Sequence, residues 1–496
     1  MAPPRCAVGR GAAPRGARLT VPPRADRGGQ GFDGGSYRDP SARVFFADGR
    51  VYRALRRDAL DRWRELAAAP LLGELMGQGR LVATELLDPA PPLPPGDWAG
   101  CLEHERVPFV SYPCEWSFAR LRDGAVFVLD LLAELLAAGF TLRDATPLNV
   151  QWRGARPVFI DVPSIERWRE GEPWLGYRQF CEGFLNPLLF EASRGVGLQG
   201  WLRGEPEGMT SADLAALLPL REKLRPAVIA HVLLHAKSQA RFDRLAGAEV
   251  GRELAAAGFS KQLILANLRG LRRLVGRLEP RSRTSAWAGY GEDPGYSAAD
   301  SAAKLEFVER ALASRRRAVV LDLGSNTGTY SLAAAGHADL VVALDADRAA
   351  VDELYRRTRR DGENRVLALV ADLVNPTPGI GWRNRERQPL LERARPDLAL
   401  ALALAHHLVI GRNVPIVELV DWLAELAPET ILEIAPREDP RVQMLLGRRP
   451  GVGDDWSVAR FDEMLPRRLT ILRRTQFADG GRTLYHLRSR DLEGGP

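Results

Sequence analysis

The sequence predicts an α/β chain whose C-terminal part is a doubly wound, mostly parallel sheet, preceded by an α+β region and an N-terminal tail that does not fold. Three observations predict it. Beyond residue 301, short apolar strands alternate with helix-forming stretches, the pattern of βαβ units with helices on both sheet faces. One of those strands runs into a glycine turn, "VVLDLGSNTGTYS" at 319–331. The length of 496 residues also exceeds what one hydrophobic core holds, roughly 250 to 300.

The tail comes first in the chain. Residues 1–38 are Arg-, Gly-, Pro- and Ala-rich with almost no large apolar side chain, so they cannot bury enough surface to fold. Their seven Arg against two Asp hold five of the six net positive charges, which leaves the rest of the chain near neutral and argues against a nucleic-acid surface. No secretory signal core is present in this stretch, and the longest apolar run, "LALALALA" at 398–405, is far short of the ~20 residues that cross a bilayer. The four Cys (6, 101, 114, 181) lie far apart with no metal spacing, which predicts a reduced, cytoplasmic setting. Nothing in the sequence sets the oligomeric state.

Residues 39–278 read as the α+β region. "ARVFFADGRVYRAL" (42–55) predicts two strands around an Asp-Gly turn. A helical stretch, a strand "RLVATELL", a Pro-rich loop, an apolar strand "VPFVSY" and a long helix "FVLDLLAELLAAG" stopped by Gly139 follow. From 165 to 275 the pattern is mostly helical. The Gly-, Pro- and Ser-rich segment 279–301 predicts a linker, and 302–496 the doubly wound sheet.

In the glycine turn, a buried strand ends at Asp322, turns at Gly324 and enters a helix near Thr327, with Gly328 giving close backbone approach. Asp345 ends the second strand, where a carboxylate accepts from ribose hydroxyls, and Asp372 ends the third, within reach of an adenine amino group. Three carboxylates at successive strand ends suit a cationic ligand without phosphate. A dinucleotide would want G-x-G-x-x-G and a pyrophosphate on the helix N-terminus, which Asp322 would repel.

On these residues the C-terminal part resembles the class I S-adenosylmethionine-dependent methyltransferases, with a Rossmann-like sheet. The resemblance implies that Asp322, Gly324, Ser325, Asn326 and Gly328 cradle the methionine part of S-adenosyl-L-methionine, Asp345 the ribose and Asp372 the adenine; Asn326 departs from the usual middle glycine. The fourth strand ends "LALALAHHLVIGRN", placing His406 and His407 at the edge where acceptor chemistry occurs and neutral imidazole serves as a base. Glu433 after the fifth strand is a candidate for lining the acceptor pocket, whereas Arg437, Glu438 and Asp439 read as a solvated loop edge. "NPTP" at 375–378 follows the third strand rather than the fourth and lacks an aromatic residue, so nucleic-acid base methylation is not expected.

"FTLRDATPLNVQWRGARPVFID" (140–161) carries Arg143, Asp144, Asn149 and Asp161 at the spacing of a kinase catalytic loop and metal-binding Asp. The region resembles the kinase fold over about 200 residues. That resemblance implies Asp144 as base, and Asn149 and Asp161 as holders of Mg with ATP if the site is active. Leu142 replaces the usual His, no glycine-rich loop precedes the region, no Lys occurs before Lys223, and Arg53 is the candidate stand-in cation. With "YPCEWSF" and "PWLGYRQF", the chain is similar over roughly residues 39–490 to a family of bacterial proteins, some called nodulation-protein-like, that join such a region to a methyltransferase. The expected function is methyl transfer to a small-molecule or glycan-type acceptor held by the kinase-like region; the alternative is a bifunctional protein whose N-terminal region is an active small-molecule kinase.

Overall fold

The computed structural model describes residues 31–242, 259–281, 297–449, 451–477 and 481–492. The N-terminal sheet has four antiparallel strands in the order β1-β2-β4-β3: β1 Ala42–Ala47, β2 Arg50–Leu55, β3 Thr84–Leu86 and β4 Gly100–His104. The hairpin turn joining β1 and β2 forms on Asp48 and Gly49, both at positive φ, as an Asp-Gly turn requires. "VPFVSY" is not a strand. Pro108 lacks the N–H a ladder needs, and the partner strand in the sheet is the preceding "GCLEH".

The helix Phe118–Ala137 is capped by Ser117 and stops before Gly139, whose φ is +85°. Beyond it, β5 Phe140–Leu142 pairs with β8 Ile165–Arg167, and β6 Val150–Arg153 forms a hairpin with β7 Arg156–Phe159. The loop carrying Asp144 and Asn149 lies between β5 and β6, and Asp161 follows β7.

Residues 31–38 correct the expected extent of the tail. Phe32 pairs with Phe45, its ring lies 5.1 Å from that of Trp98, and Arg38 bonds Glu386. One aromatic side chain in a satellite cluster anchors a segment whose composition alone predicts no order. Residues 1–30, and with them Cys6, lie outside the described residues, as do 282–296 of the expected linker; Cys101, Cys114 and Cys181 are free and buried.

The C-terminal sheet has seven strands: β9 Arg317–Leu323, β10 Ala338–Asp345, β11 Val366–Val370, β12 Leu398–Ala401, β13 Glu429–Ile434, β14 Leu469–Gln476 and β15 Thr483–Ser489. Their order is β11-β10-β9-β12-β13-β15-β14. Strands β9 to β13 are parallel and almost wholly buried, as their unbroken apolar runs require; β15 enters antiparallel between β13 and β14. Strand order reverses between β9 and β12, and a crevice outside the carboxyl ends at such a switch point is where open α/β sheets bind ligands.

The two regions share one continuous hydrophobic core. Trp116, Trp152 and Tyr355 meet edge to face at 5.6 and 5.8 Å, and the buried Arg120 guanidinium lies 4.6 and 4.5 Å from the Trp152 and Tyr355 ring centres. Burial lowers its pKa to about 10, which still leaves it charged at neutral pH. Gly154 in the β6–β7 turn abuts the Asn364 backbone before β11.

Candidate functional site

The glycine turn is built by backbone hydrogen bonds. The N–H groups of Gly324 and Ser325 both donate to the Leu344 carbonyl at 2.8 and 2.9 Å, which ties the end of β9 to the end of β10. Gly324, Asn326 and Gly328 have φ of 74°, 48° and 84°, so the turn needs glycine at two points and tolerates Asn at the third. A Cβ on Gly328 would lie 2.3 Å from Leu354 Cδ1, on the helix Arg348–Asp361.

The structure brings the three expected carboxylates to the carboxyl ends of adjacent strands. Asp322 is buried, accepts from the Ser331 hydroxyl, and has its pKa pushed up to about 6, chiefly by burial and secondarily by the nearby Asp345 carboxylate; Lys304 acts in the opposite sense. Asp345 accepts from Asn326 N–H at 2.7 Å and Asp347 N–H at 2.8 Å, so it holds the turn; burial raises its pKa against those bonds. Asp372 accepts from Val374 N–H and pairs with Arg412 at 2.7 Å. No sequence signal pointed to Arg412, which lies 40 residues downstream.

His406 and Glu433 are placed otherwise than expected. His406 is 1% exposed, and neither ring nitrogen has a partner among the described residues. Burial keeps its pKa well below 6.5, and it packs on His407 with ring centres 4.2 Å apart. His407 is less deeply buried, with a pKa lowered to about 4 by burial first and by Arg441 and Arg482. Glu433 is wholly buried: it bonds Lys304 at 2.6 Å, Arg482 at 3.3 Å and the Ala403 N–H. A carboxylate locked in this way braces the end of β13 instead of lining an open pocket. Asp439, expected in solvent, is buried, caps the helix Pro440–Gly447 and pairs with Arg482 at 2.9 Å. The signal that would have found this network is Lys304 itself, which falls on the apolar stripe of its helix with Phe307, Val308 and Ala311.

In the N-terminal region Asp144, Asn149 and Asp161 line one cleft of about 1390 Å³. Asp144 pairs with Arg143 and accepts from Gln179; Asp161 pairs with Arg53 at 2.7 Å, and Asn149 lies 3.5 Å from its other oxygen. The C-terminal region supplies a wall of this cleft through residues 385–395. There Arg393 forms a fully buried pair with Glu115, donates to the Val110 carbonyl and stacks 4.1 Å from the Tyr112 ring centre. Among the described residues no group of three or more His, Cys, Asp or Glu is arranged to hold a metal, and no helix is long and apolar enough to cross a membrane.

Comparison with curated proteins finds the nodulation protein NoeA of Rhizobium meliloti (strain 1021), 35% identical over 459 residues that span 91% of this chain and 94% of the relative. The chain belongs to the NoeA family. No family model matches it. Among solved structures, the N-methyltransferase NodS of Bradyrhizobium japonicum WM9 with S-adenosyl-L-homocysteine is 16% identical, covering 40% of this NoeA-family chain and 91% of NodS, TM-score 0.29. The magnesium protoporphyrin IX methyltransferase of Synechocystis PCC 6803 is 16% identical, covering 40% and 90%, TM-score 0.28.

Proposed function

We propose that this NoeA-family chain is an S-adenosylmethionine-dependent methyltransferase acting on a small-molecule or glycan-type acceptor. The observation that carries the reading is the set Asp322, Asp345 and Asp372 at three adjacent strand ends beside the glycine turn: a cationic, phosphate-free cofactor fits it, a pyrophosphate does not. The Ser325 hydroxyl, buried in the turn with no partner among the described residues, is a group that a bound methionine moiety would satisfy.

The cofactor supplies a methyl group on a sulfonium, open to in-line displacement, for which positioning provides most of the acceleration. The chain's own residues then have separable tasks. Asp322 provides negative charge at the foot of the turn, Asp345 fixes Asn326 and accepts from hydroxyls, and Asp372 exchanges Arg412 for an amino group. His407 stays neutral at pH 7; with its pKa lowered to about 4 it orients an acceptor hydrogen as an acceptor of hydrogen bonds and is a weak store for the proton.

For the N-terminal region we infer a kinase-like arrangement that holds the acceptor without transferring phosphate. The β5–loop–β6–β7 order with Asp144, Asn149 and Asp161 on one cleft supports the likeness, and the Arg53–Asp161 pair speaks against phosphoryl transfer, because a guanidinium takes up the carboxylate that would bind Mg.

Calorimetry with S-adenosylmethionine tests the cofactor reading. The wild type is expected to bind, and Asp345→Ala to lose at least ~10-fold in affinity as two backbone bonds and the ribose contacts go. Absence of wild-type binding, or unchanged affinity in the variant, refutes it.

A further inference from the structure

The cleft beneath the N-terminal sheet has a ceiling whose make-up follows from register. Val51 lies opposite Phe46 on β1 and His104 on β4, and Arg53 lies opposite Val44. Residues directly opposite, and those two apart, share a face, so Val44, Phe46, Val51, Arg53 and His104 all point to one side, and all five line the cleft. The ceiling is apolar with two polar groups set into it.

Both polar groups are more than nine-tenths buried, His104 at 6% exposure and Arg53 at 8%. Each keeps an atom without a partner among the described residues, Nε2 of His104 and Nε of Arg53. The tautomer of His104 is coupled to its neighbour. The Thr84 hydroxyl lies 2.9 Å from the Val82 carbonyl and 2.8 Å from His104 Nδ1; when its one hydrogen goes to the carbonyl it accepts from Nδ1, and Nε2 then carries a bare lone pair. A buried acceptor left unmet in this way is unfavourable, so the slot is built for a ligand that brings an O–H or N–H.

The same cleft is lined by the carboxylates of Asp144 and Asp161. Asp161 pairs with Arg53 through one oxygen and has Asn149 at 3.5 Å from the other, and Asp144 accepts from Arg143 on one oxygen and Gln179 on the other, each oxygen keeping a second lone pair for a ligand hydroxyl. Carboxylates paired with a guanidinium accept strong, charge-assisted bonds from hydroxyls and have no need of a metal ion. Two observations exclude a nucleoside triphosphate. Arg53 occupies the place of a cation beside Asp161 and Asn149, and the β1–β2 connection is a two-residue turn bearing Asp48, with neither the length nor the charge to cradle phosphates.

We propose that this cleft binds a saccharide without a metal ion, packing an apolar ring face against Val44, Phe46 and Val51 and presenting hydroxyls to Asp144, Asp161 and His104 Nε2. Sugars match the site because they carry C–H faces and a rim of O–H donors on one rigid ring. This assignment rests on the acceptor-holding role of the N-terminal region and narrows it to sugars. Because residues 385–395 wall the same cleft, the bound saccharide touches both halves of the molecule.

The test is a printed glycan array probed with dye-labelled full-length protein, with and without EDTA. Retention of at least one saccharide, undiminished by EDTA and reduced at least ~10-fold by Asp144→Asn and by His104→Phe, is the expected result. Asp144 is partly exposed, so that variant stays interpretable should His104→Phe fold poorly. No retained saccharide, retention abolished by EDTA, retention indifferent to both variants, or magnesium-dependent binding of a fluorescent ATP analogue each overturns the proposal. Calorimetry with S-adenosylmethionine on the same preparation separates the two readings: cofactor binding without saccharide retention refutes the cleft assignment alone.

Discussion

Replacing Asp322 by Asn sets the stability of the sheet against its affinity for a cation. In the unfolded chain this carboxyl releases its proton near 3.8, in the folded chain near 6, because burial penalises the charge. The folded state therefore holds the proton longer, and the stability this group confers is complete below pH 3.8 and is lost as pH rises through about 6. That difference corresponds to roughly 3 kcal/mol in total, of which about half falls between about pH 5 and pH 7.5. The amide of Asp322→Asn keeps an oxygen for the Ser331 hydroxyl and has nothing to ionise. Thermal unfolding of both proteins at the two pH values should show the variant gaining on the wild type by about 1 °C if the whole chain melts as one unit, and by about 3 °C if the C-terminal region melts alone. Cofactor affinity should move the other way. In the wild type it rises with pH by up to about tenfold per unit below about pH 6 and then levels, since a cation binds the ionised carboxyl better; in the variant it is lower and flat. Equal pH slopes in the two proteins, in unfolding and in binding, would refute both the buried ionisation and its role.

Arg393→Met leaves Glu115 wholly buried without its partner and is expected to destabilise by about 3–5 kcal/mol, with much of the loss restored by adding Glu115→Gln; denaturant unfolding of the single and double variants measures it. Gly154→Ala places a Cβ 2.3 Å from the Asn364 carbonyl oxygen at a φ of +59°, so the β6–β7 turn must draw away from the C-terminal sheet. A lowered melting temperature with faster proteolysis between the two regions is the expected outcome, while Gly362→Ala, also at positive φ but with open space around it, should cost only the ~1 kcal/mol of backbone strain.

The parts legible in the sequence are those written in contiguous residues. Strand β9, the glycine turn and the helix after it follow one another without a break, and an apolar run ending in Asp, Gly and Asn can form little else. The carboxylates at 345 and 372 are legible for the same reason, since the last residue of β10 and the residue two beyond the end of β11 lie at the sheet's carboxyl edge whatever surrounds them. The Asp-Gly hairpin and the stop at Gly139 are equally local. Composition, by contrast, averaged over the tail and missed the single ring of Phe32 that fixes its last residues.

What only the tertiary structure decided are the pairings between distant elements. Arg53 meets Asp161 across 108 residues and Arg393 meets Glu115 across 278, while Lys304 reaches from a helix to Glu433 at the end of β13. Charge patterns along a chain carry no record of which opposite charge will be buried beside which. The same holds for His406: its place after β12 is set by sequence, but whether it faces the crevice or the core depends on Trp456 and His407 packing against it. A side chain's chemistry is fixed by its type, and its protonation and partners by burial, which exists only once the strands have been brought together.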